Sequence, residues 1–207
     1  RAYDLFSKNK FIKNEKYIIL LDEMFNNEQY LRLGTYTDKK IIKIHYENLI
    51  KKLKIISKYY KKKVIICIHP SDNLKEKNNI FSDFIVKQHQ TKKYIYQSKL
   101  VLFFESSAII DAIILKKKIM TILSNALDKN QTDHNMHYVN EIDIPFLNVD
   151  EDLTFDKDSI SKYKYDKKKI NKSYNSYINK YIAPDNPNIQ GYVKISNIIK
   201  KNFFLRK

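Results

Sequence analysis

Glycine is almost missing from this chain: it occurs twice in 207 residues, at Gly34 and Gly191. That excludes phosphate loops built on clustered glycines, and neither a G-x-G-x-x-G turn nor a Walker loop is present. Tryptophan is absent, and arginine stands only at Arg1, Arg32 and Arg206. Base reading in nucleic acid favours the planar fork of arginine, so a basic chain built on lysine argues against it. Cysteine occurs once, as Cys67 inside an apolar run. No disulfide can close within the chain, which fits a structural thiol in a reducing compartment. No apolar run approaches the ~20 residues of a membrane span. The opening RAYDLFSKNK carries no signal-peptide core. The first residue is Arg rather than Met, so a trimmed N-terminus or a piece of a longer chain is expected.

Lysine, asparagine, isoleucine and tyrosine are abundant. Hydrophobic residues make up 43% of the chain, enough for a real core in one or two compact domains. The formal charge of +16 suits anionic partners: nucleic acid, anionic lipid or phosphate-bearing substrates. Part of it reads as compositional bias, with the lysines solvated. A cytoplasmic protein in peripheral contact with the inner, anionic face of a membrane also tolerates such a charge.

Apolar runs alternate with amphipathic ones. Strands are predicted at 16–21, 64–68, 82–87, 100–104, 118–123 and 144–149. The segment 39–63 is predicted as a long helix, with Ile42, Tyr46, Leu49, Leu53, Ile56 and Tyr60 on one face and Asp38 as its cap. Shorter helices are predicted at 91–98, capped by Thr91, and at 106–117. Polar stretches at 24–38, between the second and third strands, and at 125–143 read as loops. A Pro/Asn turn and a closing helix are expected over 183–204. There is no internal repeat. Strands that are apolar throughout belong to a parallel sheet covered on both faces, so the fold class is α/β, Rossmann-like, with helices on both faces. Ligands in such folds bind at the carboxyl ends of the strands.

Two features fall at those ends. The strand "VIICI" runs into His69-Pro70. Pro70 fixes its own φ and biases His69 away from helical geometry, so the imidazole direction is defined. An imidazole there can donate to a phosphate oxygen or protonate a leaving phosphate; equally, it can merely end a strand. The stronger feature is "LFFESSAIIDAIILKK". Ser106 and Ser107 stand where a strand passes into a helix, and hydroxyls beside free N–H groups make a phosphate cradle without glycine. One serine as a plain cap is the alternative. Asp111 either orients a serine hydroxyl or is a surface acid. Glu105 either accepts from a ribose hydroxyl or faces water. His134 and His137 form H-x-x-H beside Asp133 but lack the extra ligands of a zinc pattern, so no metal is expected. His45, near the apolar face of the long helix, reads as structural. No cofactor is implied.

A strand ending in His-Pro, followed by strand–"SS"–helix–"D"–"LKKKI"–strand, resembles the donor-binding half of bacterial surface-polymer transferases of the GT-B type. The likeness is to CDP-glycerol glycerophosphotransferases of teichoic-acid synthesis and to bacterial sialyl- and polysialyltransferases, with capsule Kdo transferases sharing the layout. It covers residues 64–123 well and the closing "APDNPNIQGYVKISNII" loosely. The resemblance implies that residues 1–207 form a single nucleotide-donor-binding domain, half of a GT-B fold, with the N-terminal acceptor domain absent. It implies a CMP- or CDP-linked donor and a glycan or lipid-linked acceptor for capsule, lipooligosaccharide or teichoic-acid synthesis. His69 would contact the donor phosphate or act as general acid, Pro70 would hold it, and Ser106 and Ser107 would bind phosphate. Two departures stand out. Lys118 replaces a common proline, and Asp22-Glu23 lacks the glycine of the sialyltransferase acidic motif and lies in the wrong half, so no base role transfers to it. A UDP-sugar transferase or epimerase of the same fold is the alternative enzyme. A basic nucleic-acid module using the Tyr-rich stretch 163–181 is the alternative outside enzymes, with a half-packed amphipathic helix the plainer reading of that stretch.

Overall fold

The computed structural model describes residues 15–22, 24–25, 31, 36–151 and 165–182. Within them six strands form one sheet: β1 (Tyr17–Leu21), β2 (Lys63–Cys67), β3 (Ile85–Lys87), β4 (Ser98–Phe103), β5 (Lys118–Leu123) and β6 (Phe146–Asn148). Their order is β3-β2-β1-β4-β5-β6, and every pairing is parallel. The order reverses between β1 and β4, and on the two sides of this switch point the following helices cover opposite faces of the sheet.

The helices are α1 (Lys39–Tyr60), α2 (Leu74–Ile80), α3 (Thr91–Tyr96), α4 (Ile109–Ile114), α5 (Lys129–Ile142) and α6 (Lys167–Tyr177), the last running into a π-helical turn, Ile178–Ile182. Strand residues alternate between two cores. Ile18, Leu20, Val64 and Ile66 pack under Leu49, Leu53 and Ile56 of α1. Ile19, Leu21, Ile65 and Val101 pack under α3, α4, α5 and α6 on the other face. Two covered faces are why the strands read as unbroken apolar runs. Each fully buried Leu or Ile contributes about 1.5–3 kcal/mol.

The expected α/β class and the six strands are present. Asp38 caps α1 as expected, its carboxylate accepting from Lys40 N–H at 2.6 Å. Elsewhere the structure corrects the sequence reading. Residues 74–80 are helical, because Asn73 accepts from the N–H groups of Lys75 and Glu76. Residues 129–142 are also helical, started by a reciprocal capping box between Asp128 and Gln131. Thr91 lies inside α3, whose cap, Gln90, makes no side-chain bond. The helix after β4 begins only at Ile109, with Ala108 as its cap. The Tyr-rich stretch is an amphipathic helix over its described part, with Tyr174 and Tyr177 buried. The expected closing turn and helix over 183–204, Glu23, and most of the 24–38 loop lie outside the described residues.

Glycine poverty leaves a mark on the backbone. Left-handed positions are filled by Lys61 (φ 51°), His89 (φ 60°), Lys116 (φ 51°) and Asp143 (φ 53°). Each non-glycine residue there carries a steric penalty that glycine avoids. Among the described residues, no helix is long and apolar enough to cross a membrane.

Candidate functional site

The carboxyl ends of β2, β1 and β4 stand level, since Leu21 pairs with Cys67 on one side and Phe103 on the other. His69 lies two residues beyond Cys67, and Ser106 three beyond Phe103. Both therefore stand on one edge of the sheet. They are two strand spacings apart, roughly 10 Å at the level of the sheet.

His69 points away from the core and is exposed, as is Pro70. Its ring is held by its own loop: the backbone N–H of Ser71 donates to His69 Nδ1 at 3.2 Å. A neutral imidazole that accepts at Nδ1 carries its proton on Nε2, so it presents a donor outward. The loop is fastened from both sides. Asp72 N–H donates to the His69 carbonyl at 3.0 Å. From the end of β3, Gln88 Nε2 lies 3.3 Å from the His69 carbonyl and 3.0 Å from those of Pro70 and Asp72.

Ser106 is half-buried and Ser107 exposed, in a tight turn whose carbonyls accept from Ile109 and Ile110 N–H. Neither serine caps the six-residue α4, so the plain-cap reading fails. The short helix also supplies little dipole, so an anion at this turn would depend on the two hydroxyls. Asp111 is buried at 5% exposure rather than a surface acid. Burial pushes its carboxyl above the usual range, against the pull of Lys92, 3.9 Å away.

Glu105 does not simply face water. Its Oε1 lies 3.3 Å from His134 Nδ1. His134 stacks on Tyr138, which meets Phe103 edge-on. Sequence reasoning missed His134 here because 125–143 read as a loop. The signal was the D-x-x-Q of Asp128 and Gln131, a helix-start pattern. Among the described residues no three metal-ligating side chains converge, and His137 packs on Tyr138 and Tyr181 instead.

Beneath the edge lie two buried polar clusters. Lys77 pairs with Asp22 Oδ2 at 2.5 Å and Asp72 Oδ2 at 3.3 Å, and also donates to Tyr46 Oη. Burial lowers the Lys77 ammonium, but the two carboxylates more than offset it and hold the pKa above normal. His45 Nδ1 lies 2.8 Å from Ser124 Oγ, which donates to Asp150 at 2.8 Å. His45 is thus structural, as expected. Burial inertly raises the Cys67 thiol to about 12. A cavity of about 570 Å³ opens between α1 and α2, lined among others by Phe25, Ile42, Tyr46, Asp72, Lys77 and Ile80. A second, of about 600 Å³, involves Lys54, Lys63 and Ile85 at the opposite edge and touches none of the candidate residues.

No protein-family model matches the chain, and no curated protein matches it. Among solved structures it is similar to the wall teichoic acid polymerase TagF at 16% identity, covering 98% of this chain and 48% of that one, with a TM-score of 0.43. It is similar to Methanocaldococcus jannaschii UDP-GlcNAc 2-epimerase in complex with UDP-GlcNAc and UDP at 15% identity, covering 97% and 51%, with a TM-score of 0.46. It is similar to the spinosyn rhamnosyltransferase SpnG at 11% identity, covering 90% and 46%, with a TM-score of 0.48. The chain spans about half the length of these structures. Likenesses this distant decide nothing about its chemistry.

Proposed function

We propose that this chain is the donor-binding half of a glycosyltransferase of bacterial surface-polysaccharide synthesis that uses a CMP- or CDP-linked donor. The observation that carries the reading is the placement of His69 and the Ser106-Ser107 turn on one carboxyl edge, flanking the β1/β4 switch point. That is where doubly wound sheets bind nucleotides. The local resemblance of residues 64–123 to cytidine-donor transferases supports the choice of nucleotide.

The chemistry follows from the donors present. An acceptor hydroxyl attacks the transferred unit, the bond from that unit to the nucleotide phosphate breaks, and the phosphate leaves with added negative charge. On this reading His69 Nε2–H and the two serine hydroxyls donate to that charge. A well-placed donor of this kind is worth about 10²–10³ in rate. On this reading Glu105 accepts from a ribose hydroxyl, and Asp111, buried behind the turn, orients a serine hydroxyl. The base that takes the acceptor proton belongs, on this reading, to a separate acceptor domain.

A thermal-shift series with CMP, CDP, UDP and AMP tests the reading. CMP or CDP should raise Tm most. UDP ahead of both moves the assignment to a UDP-sugar transferase or epimerase, and no shift with any nucleotide overturns donor binding. A salt-sensitive gel shift with single-stranded nucleic acid, absent any nucleotide response, would favour the binding-module alternative.

A further inference from the structure

We propose that Lys77 is a positioning residue for His69: it ties the His-Pro loop to the end of β1 and to α1, so that the imidazole is presented at a fixed place on the sheet edge. The inference rests on the donor-site reading for its functional meaning, but its structural content stands alone. Four segments meet at one ammonium. Asp22 comes from the end of β1, Tyr46 from α1, Asp72 from the loop after β2, and Lys77 from α2. The Lys77 and Asp22 side chains are 6% and 0% exposed, and that of Asp72 is 9% exposed. The Lys77 ammonium also lies 4.7 Å from the centroid of the Tyr46 ring.

Such a cluster is a poor device for stability. Removing ions from water costs about what their attraction returns, and apolar residues of similar size often serve as well. What it does supply is direction: charge-assisted bonds fix where each partner stands. The partner that gains most from this is the 69–73 loop. Asp72 joins the two, its carboxylate ion-paired with Lys77 at 3.3 Å and its N–H donating to the His69 carbonyl. Gln88 holds the same loop from the β3 side. The loop is otherwise exposed at His69, Pro70, Ser71 and Asn73, so without the clamp little packing restrains it. The same node reaches the 570 Å³ cavity between α1 and α2, whose lining includes Asp72, Tyr46 and Lys77.

Two variants test the proposal. Asp72→Asn keeps the side-chain shape and removes only the charge that links loop to ammonium. The double variant Lys77→Met with Asp22→Leu replaces the buried pair by apolar groups. In both, amide hydrogen exchange over residues 69–73 should quicken by about tenfold or more while β1, β2 and β4 keep their protection. The His69 side-chain NMR signals should sharpen, and nucleotide affinity should fall about tenfold where the unaltered chain binds nucleotide. Unchanged exchange in the loop, or exchange quickened uniformly across the sheet, overturns the proposal and makes Lys77 a structural residue. If the double variant does not fold, Asp72→Asn alone decides. If the unaltered chain binds no nucleotide, the donor reading fails by itself, and loop exchange still judges the clamp.

Discussion

Ser71 donates its backbone N–H to His69 Nδ1 across 3.2 Å, so the His-Pro loop fixes the tautomer of its own histidine. The proton this leaves on Nε2 is available on the solvent side of the sheet edge. An exposed side chain held in this manner contributes little to folding, and on the proposed reading it meets the donor phosphate.

Replacing His69 by Ala or Asn should therefore leave Tm nearly unchanged. In an enzyme that includes the acceptor half, transfer should fall by about 10²–10⁴, as for a lost general acid. Initial rates beside a thermal melt check both halves of the statement. Full transfer activity in either variant would return His69 to a mere strand end.

The double change Ser106→Ala and Ser107→Ala should weaken binding of CMP or CDP, read by calorimetry. Stability should change by no more than about 0.5 kcal/mol, because neither serine caps α4 and Ser107 is exposed. Normal nucleotide binding in the double variant would remove the serines from the site.

His45 sets a pH dependence. Burial lowers its pKa from 6.5 to about 4; the nearby Asp150 charge works against this and the Lys77 charge adds to it. The folded state thus holds the neutral ring, whereas the unfolded chain protonates it near 6.5. The stability this contributes is complete above pH 6.5 and is lost as pH falls from there toward 4, to a total of about 3 kcal/mol. Urea midpoints at pH 7.5, 5.5 and 4.5 for the unaltered chain and for His45→Gln should converge as pH falls. Parallel curves would mean that His45 does not titrate in this range.

Lys61 ends α1 in the left-handed region, φ 51° and ψ 45°, with its N–H bonded back to the Lys58 and Ser57 carbonyls. Glycine takes that conformation without the Cβ penalty, so Lys61→Gly should stabilise the chain by about 1 kcal/mol. Lys61→Ala, which keeps the Cβ, should give no such gain. Equal midpoints for all three in urea would refute the strain.

The amino-acid pattern alone was enough for the strands and for α1, and hence for the α/β class. Val64–Ile68 and Leu100–Phe104 are apolar at every position because both faces of each strand are covered, a property carried by consecutive residues. The carboxyl edge on which the site is proposed was legible for the same reason: His69 and Ser106 follow strands of recognisable end. The helix α5 was not, because it buries Gln131 and Asn135 beside Tyr138 and Ile142, so its inner face does not look apolar. The α2 helix is seven polar-rich residues whose one buried side chain is a lysine, Lys77, so no apolar stripe announces it. Only tertiary structure decided which side chains meet at the edge. Lys77 reaches Asp22 across 55 residues of chain, and His45 reaches Ser124 across 79. Glu105 finds His134 only because α5 returns along the sheet. Local patterns record what a residue needs buried. Crossover connections in a parallel sheet decide what it is buried against, and no spacing in the chain encodes that.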